Sequence, residues 1–274
     1  MPDIVHAQDA SDETAILKLQ YFNINNSVQY LLLESSTKKN KIFTPKKNIL
    51  YKVYLDSFSN SNLIAEVKTN DEGKAKMFIP PSLKTVWDNS SLHTFIVMQG
   101  DEEVQSDYSI TKARIEIDTS TVDSIKNITV KVLKDDNGKL IAVPDVEMKV
   151  GIKRLGGILS GGDEETYTTD SSGLVTLPFT KINMPGDKFG NIVLTAKIED
   201  NEFLGNIIIE KKAAWGVPTI VSDDFFKRRE LWSTRFRSPY WLLFMAYAIV
   251  IGVYGTLIYL VFQMVKIIKL GKQA

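Results

Sequence analysis

The sequence predicts an all-β chain, two sandwich modules in tandem, followed by a single C-terminal transmembrane α-helix. Three observations predict it. Apolar residues alternate with period two through most of the chain, one Thr…Gly turn motif occurs twice in equivalent settings, and an apolar run carries no charge from Ser238 to Val265.

Taken in order, residues 1–13 read as the remnant of a signal peptide. "DIVHAQD" puts Val5 and Ala7 at the −3 and −1 positions of an A-x-A-like cleavage site before Gln8, although no apolar stretch precedes it. Strands follow. Apolar residues alternate at Ala15, Leu17, Leu19 and Tyr21, and again at Ile49, Tyr51, Val53 and Leu55. They do so again at Ile128, Val130 and Val132, and at Ile192, Leu194, Ala196 and Ile198. Each run has the pattern of a strand with one buried face. Turn clusters separate them: Asn25-Asn26-Ser27, Asn60-Ser61-Asn62, Asp135-Asp136-Asn137-Gly138 and Pro185-Gly186-Asp187. Nothing ahead of residue 222 carries a helical period.

The repeat is "TNDEGKAKMFIP", from Thr69, and "TTDSSGLVTLPF", from Thr168; Thr69 to Ala75 aligns with Thr169 to Val175. Threonine ends a strand, short polar residues turn the chain, and glycine takes a backbone angle that a Cβ resists. Two copies predict two modules, residues 14–117 and 122–217, each about the size of a seven-stranded sandwich.

The T-x-D/S-x-G-x-A/V-x-L pattern after a strand resembles the Ig-like and transthyretin-like modules of bacterial cell-envelope proteins. The second copy, followed by "MPGDKFGNIVLTAKIEDNEFLGN", is similar to the Bacteroidetes-type members. The resemblance covers residues 14–217 and implies modules that hold, space or dock other components, with no fixed catalytic residues. The Cys…Trp…Cys core of antibody domains is absent, which leaves strand order open.

Residues 218–237 form a basic-aromatic juxtamembrane segment. Lys227, Arg228, Arg229, Arg235 and Arg237 interleave with Phe225, Phe226, Trp232 and Phe236, a composition suited to the headgroup layer. The helix is expected over 238–268, starting at Ser238-Pro239, since about 20 helical residues cross ~30 Å of hydrocarbon. Tyr240 and Trp241 mark one interface, and Lys266 and Lys269 the other, with a short basic tail at 269–274. Ala248, Gly252 and Thr256, with Gly255 beside them, form a small-residue face for a partner helix. Tyr247, Tyr254 and Tyr259 bring hydroxyls into the apolar zone, which a partner would satisfy.

Composition excludes several classes. Lys+Arg and Asp+Glu are 33 each, so no net charge draws the chain to nucleic acid. Without cysteine there are no disulfides, iron–sulfur clusters or cysteine zinc sites. Two histidines, His6 and His93, are too few for an imidazole metal site, and His93 reads as structural. "DDNGK" supplies only a fragment of a calcium loop. No G-x-S-x-G elbow occurs. "RLGGILSGGDEE" lacks the Lys-Ser/Thr of a phosphate loop, so Gly156, Gly157, Gly161 and Gly162 read as a flexible hairpin tip or docking loop. Asn25, Asn89 and Asn127 begin N-x-S/T sequons.

Orientation cues oppose each other. The basic residues ahead of the span favour a cytoplasmic N-terminal region, whereas exported domains cross largely regardless of flanking charge. The cleavage-like motif and the Ig-like resemblance favour export. The expectation is a non-enzymatic, cofactor-free, metal-free protein of the inner membrane with most of its chain in the periplasm. Its partners are the lipid bilayer and other membrane-protein subunits, as an accessory or scaffolding subunit of a respiratory, secretion or motility complex. A tail-anchored cytoplasmic adaptor is the alternative, and a membrane-anchored enzyme the third reading.

Overall fold

The computed structural model describes residues 14–219 and 239–271. They fall into two compact units, one ending at Thr219 and one containing the C-terminal helix. The first unit is a β-sandwich structure. Its strands are β1 (Thr14–Ile24), β2 (Val28–Lys39), β3 (Ile42–Pro45), β4 (Leu50–Leu55), β5 (Leu63–Lys68), β6 (Lys74–Phe78), β7 (Leu92–Gln99) and β8 (Glu102–Thr111). Then follow β9 (Ala113–Val122), β10 (Ile125–Asp136), β11 (Lys139–Ala142), β12 (Glu147–Arg154), β13 (Gly157–Ser160), β14 (Tyr167–Thr168), β15 (Leu174–Pro178), β16 (Ile192–Asn201) and β17 (Gly205–Ala213).

The alternation read from the sequence is the alternation of burial. Leu19 and Tyr21 of β1, Tyr51, Val53 and Leu55 of β4, and Val130 and Val132 of β10 point inward, as do Ile192, Leu194, Ala196 and Ile198 of β16. These side chains build two cores. One gathers residues of β1, β2, β4, β7 and β8, with Leu31, Leu33, Phe95 and Val97 at its centre. The other gathers residues of β9, β10, β12, β15 and β16, centred on Ile115, Ile128, Ile152 and Leu194.

One strand plan is used twice. In the first, β2 lies between β1 on one edge and β3 and β6 on the other, over a sheet ordered β5-β4-β7-β8. In the second, β10 lies between β9 and the pair β11 and β15, over β13-β12-β16-β17. The repeat seen in the sequence is therefore a repeat of topology. The copies are fused, because Phe22, Asn23 and Ile24 pair in parallel with Asn206, Ile207 and Ile208. That pairing joins sheets from the two copies into one of nine strands.

Two expectations need correcting. The break expected between 117 and 122 falls inside β9, which pairs with β10 from Ala113 to Val122 and puts Ile115 and Ile117 into the second core. The unit is also not free of helix. A 3-10 turn (Pro81–Leu83) leads into α1 (Lys84–Asn89), which buries Leu83 and Trp87, four residues apart. Six residues are too few to display a helical period.

The repeated turn is built alike in both copies. Thr69 and Thr169 are each 2% exposed. The Thr69 hydroxyl donates to the Lys46 carbonyl (2.7 Å) and accepts from the Ile49 N–H (3.0 Å). The Thr169 hydroxyl donates to Val143 (2.8 Å) and accepts from Val146 (2.9 Å). Asn70 Oδ1 accepts from the N–H groups of Glu72 and Lys74, and Asp170 Oδ1 from those of Ser172 and Leu174. Gly73 and Gly173 adopt φ of +73° and +69° and sit so close to β2 and β10 that a Cβ would lie 2.4 Å from the Ser35 carbonyl oxygen and 2.9 Å from that of Val132. A third copy of this turn runs from Asp187 to Asn191, where Asp187 Oδ1 accepts from Phe189 and Asn191 and Gly190 adopts φ +77°.

In the second unit, α2 spans Tyr240–Gly271.

Candidate functional site

A concavity of mixed polarity lies where the two strand repeats meet. It is a groove of about 670 Å³ between the β1–β2 turn, the Ile79–Asp88 segment and the facing ends of β9 and β10. Pro80 and Pro81 start the 3-10 turn, which fixes this wall and leaves it without their two backbone donors. Lys84 and Asp88 of α1 line it and are exposed. Neither has an ion pair or hydrogen bond among the described residues, and the Gln29 side chain beside them is likewise unpaired.

The opposite wall is neutralised from within. Lys112 Nζ lies 2.7 Å from Asp135 Oδ2, with side chains 20% and 15% exposed. The Lys112 ammonium holds the Asp135 carboxyl below the usual carboxylate range, helped by the Gly138 N–H donating to Oδ1 at 2.7 Å. Arg114 pairs with Glu116 at 2.6 Å. The Asn26 amide donates to the Ile115 carbonyl at 2.8 Å and accepts from its N–H at 3.3 Å. Asn23, 3% exposed, donates through Nδ2 to the Ala113 carbonyl at 3.3 Å, while its Oδ1 is buried with no donor.

Beneath the groove His93 is fully buried and stacked on Trp87, ring centroids 4.1 Å apart. Its Nδ1 lies 2.9 Å from Asp56 Oδ2 and its Nε2 3.0 Å from the Trp87 carbonyl oxygen. Both nitrogens are committed to the fold, so the structural role read for His93 stands and the ring is unavailable as a catalytic base. Among the described residues no group of three or more His, Asp or Glu is arranged to hold a metal ion. The "DDNGK" stretch is the β10–β11 hairpin turn, with Asn137 and Gly138 at φ +52° and +83°.

The glycine-rich segment divides in two. Gly156 and Gly157 form the exposed tip of the β12–β13 hairpin, with open space where each Cβ would stand. Gly161 and Gly162 are buried: a Cβ on Gly161 would lie 3.1 Å from the Ile128 side chain, and one on Gly162 2.6 Å from the Tyr167 hydroxyl. A docking role is open to the tip alone. Of the sequons, Asn25 is tied into the fold by accepting from the Glu210 N–H (2.8 Å).

In α2, residues Tyr240–Leu270, 31 in all, are long and apolar enough to cross a membrane. The Pro239 carbonyl accepts the first helical N–H groups, from Leu242 and Leu243. Tyr240 and Trp241 occupy the first turn, and Lys266 and Lys269 the last two, where a cation suits the helix dipole. Ala248, Gly252, Gly255 and Thr256 are exposed along the helix. The Thr256 hydroxyl donates to the Val253 carbonyl at 2.9 Å. The Tyr259 hydroxyl, expected to need a partner helix, accepts from Gln263 Nε2 at 2.8 Å, so it has one partner within the helix. Gln263 escaped the sequence reading; as an amide inside an apolar run, it was visible there. Lys227, Arg228, Arg229, Trp232, Arg235, Arg237 and the expected N-cap Ser238 lie outside the described residues, as does the cleavage-like motif at Val5 and Ala7.

No family model matches the chain, and no curated protein matches it. Solved structures do. The D0–D1 domain of intimin is 16% identical, with a TM-score of 0.27, over 72% of this chain and 98% of that one. A C-terminal 282-residue intimin fragment, solved with the intimin-binding domain of the translocated intimin receptor, is 13% identical, with a TM-score of 0.28, over 75% and 64%. The Yersinia pseudotuberculosis adhesin InvE is 15% identical, with a TM-score of 0.22, over 72% and 58%. Likenesses at this level assign neither a function nor a partner to this chain.

Proposed function

We propose that this is a non-enzymatic single-pass membrane protein. Its two sandwich modules form a stiff exported body, held at the inner membrane by α2, that serves as an accessory or scaffolding subunit of a larger membrane complex. The observation that carries the reading is α2: its residues Tyr240–Leu270, 31 in all, are long and apolar enough to cross a membrane, with no charged side chain ahead of Lys266. A helix apolar all round is stable only in a core or in a bilayer. The shared nine-stranded sheet supports a scaffolding role, since main-chain pairing between the modules resists hinging. In this reading the face of Ala248, Gly252, Gly255 and Thr256 meets a helix of another subunit, and the Gly156-Gly157 tip is a second contact.

Protease added to intact spheroplasts tests the orientation. Degradation of residues 14–219 while the C-terminus stays protected supports export. Full protection of the β unit assigns it to the cytoplasm and makes the chain a tail-anchored adaptor, the arrangement that the basic residues ahead of the helix favour.

A further inference from the structure

The groove at the junction of the two strand repeats has the chemistry of a ligand site. Its volume of about 670 Å³ is within the range of small-molecule sites, roughly 300–1,000 Å³. Three features narrow what fits. First, Asn23 contributes a buried acceptor without a donor, and such a group is costly unless water or a ligand brings an O–H or N–H to it. Second, charge is balanced. Lys112 and Arg114 are cancelled by Asp135 and Glu116, leaving Lys84, Asp88 and Gln29 as one cation, one anion and one amide, so neither anions nor cations are selected. Third, flat and strand-like ligands are poorly served. The Trp87 ring is 6% exposed and packed between His93 and Tyr21, so it offers no stacking face. The carbonyls of Ala113 and Ile115 already accept from Asn23 and Asn26, and Pro80 and Pro81 have no N–H. An extended peptide therefore finds no free strand edge.

We propose that this groove binds a short neutral saccharide. A sugar hydroxyl both donates and accepts. It supplies the donor missing at Asn23 Oδ1 once that buried side chain turns toward the groove and gives up its bond to the Ala113 carbonyl, and it donates to Asp88. Other hydroxyls accept from Lys84 and Gln29, while ring C–H groups lie against Ile79, Pro80 and Pro81. The inference does not depend on which side of a membrane the β unit occupies.

The test uses the full chain in lipid nanodiscs, because maltoside detergents carry a disaccharide head group. Maltotriose, cellotriose, mannotriose and chitotriose are titrated calorimetrically, with the peptide acetyl-Ala-Ser-Ala-Ser-amide as a second probe. Saturable binding of at least one saccharide is expected, at least tenfold weaker in Lys84→Ala and Asp88→Ala. Both side chains are unpaired, so both variants should melt with the parent. Asn23→Ala should also weaken binding, even where it lowers the melting temperature. Failure of all four saccharides overturns the proposal, as does binding unchanged in Lys84→Ala and Asp88→Ala. Binding of the peptide alone would also overturn it and assign the groove to a polypeptide partner.

Discussion

Thr169, Asp170 and Gly173 show how much a few residues decide in a β protein. The Thr169 hydroxyl donates to Val143 O and accepts from Val146 N at that strand end, and the residue is 2% exposed. Thr169→Val keeps the shape and strands both groups, at about 1–3 kcal/mol for a buried polar group left unmade; urea unfolding of the full chain should show that loss. Glycine replacements should rank by the space around them. Gly73→Ala, with backbone 2.4 Å from the new Cβ, should cost more than Gly173→Ala at 2.9 Å. Both should exceed Gly100→Ala, which meets open space and incurs only the penalty of φ +63°, on the order of 1 kcal/mol. Acid should separate the two repeats. The Asp170 carboxyl is held low mainly by the Leu174 N–H and the Ser172 hydroxyl, and that of Asp187 mainly by the Asn191 amide and N–H. A depressed carboxylate stabilises the fold fully above its unfolded value, about 3.9, and the contribution is lost as pH falls through the folded value. Asn70, at the equivalent position of the first repeat, does not titrate. Asp170→Asn and Asp187→Asn together should therefore flatten the fall in melting temperature below about pH 4; an unchanged acid limb would rule these two turns out as its source. The Thr69 and Thr169 turns were legible from spacing. Pro185-Gly186-Asp187 was legible as a turn, but not as a third copy of this one, because no threonine precedes it.

Elements divide by length. Strands with one buried face announce themselves within six or so residues, since alternation repeats every two. β1, β4, β10 and β16 were read this way. α1 was not, because its buried pair, Leu83 and Trp87, makes a single helical repeat. α2 is the opposite case, apolar over a length no strand reaches. Its small-residue face is tested by Gly252→Leu with Thr256→Leu. Both changes keep the span apolar, so resistance to carbonate extraction should be unchanged, while subunits that co-migrate in mild detergent should be lost. Full retention of the complex would make α2 an anchor only. The hydroxyl argument for a partner is weakened by Gln263, which donates to Tyr259 four residues away; that i, i+4 relation becomes visible once the helix is drawn.

At the scale of the molecule, the finding is fusion of two copies of one strand plan. β9 belongs to the second copy by its pairing and by Ile115 and Ile117. A fragment of residues 113–219 should therefore give a cooperative melt and a β-type circular dichroism spectrum. Residues 122–217, the span expected from the sequence to fold alone, should melt lower or not at all: burying one isoleucine contributes about 1.5–3 kcal/mol, and β10 loses a paired edge as well. Equal stability of the two fragments would remove β9 from the second core.

By itself the sequence determined what is local. Period two made the strands, the Thr-Asx-Gly spacing made the turns, and a charge-free run made a helix able to cross a membrane. Each of these follows from residues within a few positions of one another. Only the tertiary structure decided what is distant in the chain: that Phe22–Ile24 pair with Asn206–Ile208, and that Asn23, Lys84, Asp88 and Lys112 face one groove. Every residue except proline carries the same backbone donor and acceptor, so which distant strands pair is only weakly marked in residue type. The buried Asn23, alternating in step with Leu19 and Tyr21, looks in the sequence like any polar residue near a turn.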